Sequence, residues 1–79
     1  MVKLKNIVID NDTAKCDIFP EDSIKNGSLE INFANNSASV VLPDGYEWCL
    51  SHVGHAKKYL TNLHEKGVKY QNEKIIMWY

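Results

Sequence analysis

The sequence predicts a two-layer α+β fold, with a mainly antiparallel sheet of about five to six strands and one helix packed on one face. Three observations carry this prediction. Apolar and polar residues alternate over the first half of the chain, two turn motifs divide residues 28–50, and an apolar stripe at helical spacing follows in residues 51–67. The predicted element order is β-β-β-β-β-α-β within a single domain, residues 1–79.

The N-terminal hairpin is predicted from residues 2–9 and 13–19, two alternating runs on either side of an Asn-Asp turn. The apolar positions of the first run change phase halfway, which indicates a bulge near Asn6. A turn of this length sets Ile9 opposite Ala14. The apolar residues of both strands then share one face.

Residues 28–33 and 38–42 are predicted to form a second hairpin. Asn35 and Asn36 are expected at the centre of a two-residue primed turn, because asparagine tolerates a positive φ. This turn length places the last residue of the first strand, Phe33, opposite the first residue of the second. All apolar residues of the hairpin then lie on one face.

A fifth strand is predicted over residues 46–50. Pro43 pre-sets the backbone for a turn, and Gly45 supplies the left-handed position that closes a hairpin loop. The strand extends the apolar face of the preceding hairpin, with Trp48 at the centre of that face. The result is a three-stranded meander.

The predicted helix begins at Ser51, whose hydroxyl can cap it, and ends at Gly67. An alternative start remains open, because Asp44 and Glu47 have the spacing of a capping box. The agreement of two turns on one apolar face favours the strand over this longer helix. The inward stripe of the helix contains Val53, Ala56, Leu60 and Leu63.

The chain ends with an uninterrupted apolar segment, residues 75–79. Such a run is typical of a strand buried on both faces or lying in the middle of a sheet. The connection through a helix allows this last strand to pair with the N-terminal strand.

Composition favours a folded domain in the cytoplasm. The chain is 44% hydrophobic, has a formal net charge of −1 and contains no apolar run approaching the ~18 residues of a membrane span. No apolar segment of signal-peptide type follows the first residues. The lack of such runs predicts no membrane partner. Cys16 and Cys49 are too few for a disulfide framework, so free thiols in a reducing compartment are expected.

Cys49, His52 and His55 have a Cys-x2-His-x2-His spacing that suits Zn²⁺ chemistry. A structural zinc site normally needs four ligands, and the predicted strand points Cys49 away from the helix. Histidines beside a core stripe are the more ordinary interpretation, so no metal ligand and no cofactor are predicted. A small metal-binding protein stays as the second alternative function.

No catalytic residue is predicted either. Ser51 and His52 are neighbours in sequence, which is no evidence of a dyad, and no glycine-rich phosphate loop follows a strand. One helix on a small sheet also leaves little volume for a substrate pocket. The chain is therefore predicted not to be an enzyme.

The main functional prediction is a small non-catalytic protein-interaction or homodimerisation module. One helix cannot cover the whole sheet, so aromatic side chains on its flank or at the chain end are candidates for contact with a protein partner or a second copy. The predicted interaction surface contains His52, His55, Tyr59, Trp78 and Tyr79.

A weak nucleic-acid-binding protein is the first alternative function. Residues 51–79 carry five lysines against two acids, whereas residues 1–50 carry four lysines against eight acids. The lysines that would form the basic surface are Lys57, Lys58, Lys66 and Lys69. Since the overall charge is slightly negative, binding of nucleic acid is expected to be weak if it occurs.

Overall fold

The computed structural model describes residues 1–67 and 70–77. Within these residues, five strands form one antiparallel sheet and one helix packs on a face of it, in the order β-β-β-β-α-β. The elements are β1 (Val2–Ile9), β2 (Thr13–Pro20), β3 (Gly27–Asn32), β4 (Ser37–Val41), α1 (Leu50–Lys66) and β5 (Lys74–Ile76). The strand order across the sheet is β4-β3-β2-β1-β5. The predicted two-layer α+β class is confirmed.

The bulge predicted in β1 is present. Ile9 pairs with Ala14 as expected, and the register shifts between Lys5 and Val8, where Asn6 takes a φ of 55°. Because of the bulge, the apolar residues before it and those after it both face the helix. The buried residues of β1 are Val2, Leu4 and Ile7.

The register of the β3–β4 hairpin differs from the prediction. Ala38 pairs with Ile31 and not with Phe33, because the loop has four residues instead of two. The Asn32 side chain accepts backbone hydrogen bonds from the second and third loop residues at 3.0 and 3.3 Å. Of the two predicted turn residues, only Asn36 takes a positive φ, at 59°. A shift of two residues leaves the apolar face unchanged.

The predicted strand over residues 46–50 is wrong. The Tyr46 N–H donates to the Pro43 carbonyl at 3.0 Å, and the Cys49 N–H donates to the Tyr46 carbonyl at 3.0 Å. Two successive turns therefore use backbone groups that a strand would offer to β4. As a result, Trp48 is 66% exposed instead of central in the core.

The helix begins between the two starts considered from the sequence. Leu50 is its first residue, and Cys49 holds the N-cap position without a side-chain hydrogen bond. Ser51 is therefore not the cap, and Asp44 lies outside the helix. The predicted end is confirmed, since Gly67 has a left-handed φ of 62° and donates its N–H to the carbonyl four residues earlier.

The core lies between α1 and the first three strands of the chain. The helix packs over β1 and β2, and its buried residues are His52, Val53, Ala56 and Leu60. The buried residues of β2 and β3 include Ala14, Cys16, Ile18, Leu29 and Ile31. All five residues of β4 are exposed, because the helix does not extend over this edge.

β5 pairs antiparallel with β1, so the predicted neighbour of the last strand is confirmed. The predicted burial on both faces is wrong for its described part. Ile75 and Met77 are exposed, since β5 is a short edge strand and not a central one. Trp78 and Tyr79 lie outside the described residues.

Candidate interaction surface

His52 is an internal side chain and not part of an exposed surface. It is 4% exposed, and its Nε2 lies 2.6 Å from Oε1 of Glu21, which also contacts the Met1 amino group at 3.3 Å. The Trp48 ring meets the imidazole edge-on, with ring centroids 5.8 Å apart. These contacts join the first turn of α1 to the end of β2.

Two further predicted surface residues, His55 and Tyr59, are half-buried. The Nζ of Lys74 lies 5.7 Å from the centroid of the Tyr59 ring, and burial raises the pKa of the Tyr59 phenol. Tyr59 thus packs between the helix and β5. Trp78 and Tyr79, the other two members of the predicted surface, fall outside the described part of the chain.

Both cysteines are free, and both are buried. Burial raises the pKa of the Cys49 thiol, and the nearby Glu21 carboxylate raises it further. Burial also raises the pKa of Cys16 to about 12. Metal binding and nucleophilic attack both need a thiolate, which these surroundings disfavour.

Metal ligands do not gather where the Cys-x2-His-x2-His spacing suggested. Across residues 1–67 and 70–77, no three His, Cys, Asp or Glu side chains come together in a group that could hold a metal ion.

Within the same residues, no helix has the length and apolar character needed to cross a membrane.

The helix lysines considered for nucleic-acid binding are exposed but dispersed. Lys57 and Lys66 are nine residues apart, about two and a half helical turns, so they lie on opposite sides of α1. Lys58 lies on a third side, about 100° from Lys57. Lys69 is not among the described residues.

The outer edge of β4 is an open edge of the sheet, and every residue of the strand is exposed. This strand ends the sheet, and its sequence, Ser-Ala-Ser-Val-Val, contains no charge and no proline. Natural edge strands usually carry such features to prevent pairing with another chain. Val41 is 65% exposed on the open face of the sheet, and Val40 is exposed on the face toward the helix.

The opposite edge is less suited to pairing. In the described part of the chain, β5 has three residues and includes Lys74, a charged residue of the kind that protects sheet edges. The sequence-based interpretation missed the β4 edge because it placed another strand beside it. The uncharged run of residues 37–41 was the available signal.

This arrangement defines a small two-layer α+β domain with one open, uncharged sheet edge. Comparison with protein-family models, curated proteins and solved structures finds no match for the chain.

Proposed function

We propose that this chain is a small non-catalytic interaction module that forms a homodimer by pairing the β4 edges of two copies. The observation that carries this proposal is the fully exposed, uncharged β4 strand at the end of the sheet. Its exposed backbone groups can continue the sheet across a second copy, which is a common mode of protein association.

The geometry of such a dimer follows from two-fold symmetry. An axis perpendicular to the sheet makes the two β4 strands antiparallel and keeps both α1 helices on the same face. Pairing centred on Ser39 sets Ser37 opposite Val41 of the partner subunit. Val40, which the protein's own helix leaves exposed, then gains cover from the neighbouring β4.

The dimer is expected to be weak. A pair of five-residue strands supplies a few backbone hydrogen bonds of about 0.5–1.5 kcal/mol each. The surface buried is small compared with the roughly 1,200–2,000 Å² of stable interfaces. We therefore expect a dissociation constant on the order of micromolar or weaker, and an assembly that depends on concentration.

Sedimentation equilibrium with two valine variants tests the proposal. Val41 and Val8 both face the open side of the sheet and are 65% and 51% exposed, but only Val41 lies on the edge strand. Val41→Lys should abolish the dimer, because a charged lysine on the edge strand opposes pairing with another chain. Val8→Lys is the matched control and should dimerise like the wild type.

Two results would contradict the proposal. A wild-type protein that stays monomeric at millimolar concentration would exclude the dimer. Equal loss of the dimer in Val8→Lys and Val41→Lys would move the interface from the edge to the open face of the sheet.

We propose that the chain has no catalytic residue. Both thiols are buried and the pKa of Cys49 is raised, which disfavours a cysteine nucleophile, because such a nucleophile acts as the thiolate. We further propose a cytoplasmic location, since two free thiols suit a reducing compartment.

A further inference from the structure

The connection between β2 and β3 ends in an asparagine followed by a glycine, Asn26 and Gly27. Of the asparagines in the sequence, only Asn26 precedes a glycine. The backbone nitrogen that follows an asparagine can attack the carbonyl carbon of its side chain. Glycine favours this attack, because it has no side chain to obstruct the approach and its backbone turns freely.

The Asn26 side chain is exposed to water and lies against the peptide group that follows it. Its Nδ2 donates a hydrogen bond to the Gly27 carbonyl at 3.3 Å. The side-chain amide and the Gly27 backbone are therefore already in contact in the folded protein. Attack within one chain avoids the entropy cost of bringing two separate reactants together.

Gly27 lies at an end of its strand ladder. It is the first residue of β3, and its pairing with Ile18 is the last in the β2–β3 register. Residues 21–26, which precede it, contain no strand. Local opening at such a boundary needs much less free energy than global unfolding, so the Gly27 nitrogen can turn toward the Asn26 side chain while the sheet stays folded.

We infer that Asn26 is a site of spontaneous deamidation through a cyclic imide. The Gly27 nitrogen attacks Cγ of Asn26, so that an N–Cγ bond forms and the Cγ–Nδ2 bond breaks. The proton lost from the Gly27 nitrogen passes through water to Nδ2, which leaves as ammonia. A water molecule then opens the ring at either carbonyl and gives aspartate or isoaspartate, and no group is oxidised or reduced.

Isoaspartate at position 26 should weaken the contact between β3 and the end of β4. It carries the main chain through the side-chain carbon atoms, which lengthens the chain by one bond of about 1.5 Å. Gly27 has little room toward β4, because a Cβ atom there would clash with the Val41 carbonyl oxygen and lie 3.1 Å from atoms of both Leu42 and Pro43. This reaction does not depend on pairing of β4 between two copies.

Mass spectrometry of the full-length wild-type protein, aged in mildly acidic and mildly alkaline buffer, tests the inference. Released ammonia is measured, and peptide maps locate each asparagine that has become an acid. Asn26 should deamidate at least about tenfold faster than any other asparagine. The reaction should be faster in the alkaline buffer, because the Gly27 nitrogen must lose its proton to attack.

Three variants make the test specific. Asn26→Gln keeps an amide but needs a larger ring, so the rapid release of ammonia should disappear. Asn62→Gln replaces an exposed asparagine of α1 and should leave that release unchanged. Freshly prepared Asn26→Asp has the charge of the product without the longer main chain, and it should unfold at a higher temperature than the isoaspartate fraction of the aged protein.

Three outcomes would contradict the inference. Deamidation of Asn26 no faster than that of Asn62 would overturn it outright. Unchanged ammonia release in Asn26→Gln would assign the reaction to another residue. An isoaspartate fraction that unfolds at the same temperature as Asn26→Asp would overturn the predicted effect on the contact between β3 and β4.

Discussion

Glu21 links three parts of the molecule, which are the N-terminus, the end of β2 and the first turn of α1. Its backbone takes a φ of 52° directly after β2, an uncommon conformation for a residue with a side chain. The Glu21 carboxylate contacts both the Met1 amino group and His52. The contact with His52 is short and largely shielded from water, so it is worth more than an ion pair on the surface.

The first prediction compares two glutamates. Glu21→Ala should lower the free energy of unfolding by about 1–3 kcal/mol, because His52 loses a buried charge-assisted contact. Glu30→Ala removes the exposed contact with Lys15 at 3.6 Å and should cost at most about 1 kcal/mol. Urea unfolding of both variants and the wild type measures the difference. Equal costs would show that the Glu21 contact contributes no more than a surface pair.

The second prediction concerns Cys16. Burial, with a smaller effect from Asp17, raises the pKa of its thiol from 9.0 to about 12. The folded protein thus holds this proton more tightly than the unfolded chain, so the associated stability is complete below pH 9.0 and is lost as the pH rises toward 12. The stability advantage of the wild type over Cys16→Ala should shrink across this window.

Chemical unfolding of both proteins at a series of alkaline pH values checks the Cys16 prediction. Other groups titrate in the same range, but they are common to the two proteins and cancel in the difference. A difference that stays constant across the window would contradict the assigned burial of the thiol.

At the scale of elements, the β3–β4 hairpin depends on close backbone approach. Gly27 begins β3, and a Cβ atom at this position would clash with the carbonyl oxygen of Val41. Gly54 lies in the interior of α1, where an added Cβ atom would meet nothing within 4 Å. The same substitution should therefore have opposite effects at the two positions.

The third prediction follows from this contrast. Gly27→Ala should destabilise the protein by about 1–3 kcal/mol or more, because the β4 backbone must move. Gly54→Ala should stabilise it by about 0.5–1 kcal/mol, since alanine favours the helix. Thermal and urea unfolding measure both effects. A neutral Gly27→Ala variant would contradict the close packing of the end of β4 on β3.

The sequence predicted some of the helices, strands and turns correctly and others not. Local patterns sufficed for the first four strands, the bulge at Asn6 and the helix end at Gly67, because alternation, backbone preference and capping act over a few residues. Residues 46–50 alternate like a strand, yet they begin in turns, and the Tyr46 side chain in these turns contacts Asp22. That contact spans 24 residues, so no local pattern could reveal it.

The interaction surface was predicted less well than the fold. His52 and Tyr59 lie near the inward stripe of the helix, and each contacts a residue from a distant part of the chain, His52 with Glu21 and Tyr59 with Lys74. The β4 edge became visible only when the strand expected beside it proved to be absent. Sequence alternation identifies the faces of a strand but not which strand ends the sheet.

For the whole molecule, the sheet is wider than the area that α1 covers. The helix packs over β1 and β2, at the centre of the order β4-β3-β2-β1-β5, and leaves β4 exposed on both faces. The two sheet edges also differ, because β5 carries a lysine and β4 carries no charge. For the proposed association through a sheet edge, this asymmetry favours the β4 edge, and therefore a closed dimer over an open chain of subunits.

Disulfide trapping of Ser39→Cys tests the proposed edge pairing most directly. In an antiparallel pair centred on residue 39, the two facing Cα atoms are about 4.5–5.5 Å apart, within reach of a disulfide. Ser28→Cys lies exposed on the neighbouring strand β3 and is the control, and the natural cysteines are buried. We predict that mild oxidation converts Ser39→Cys, but not Ser28→Cys, to a covalent dimer on a non-reducing gel. Absence of the Ser39→Cys dimer, or equal cross-linking of both variants, would contradict pairing through β4.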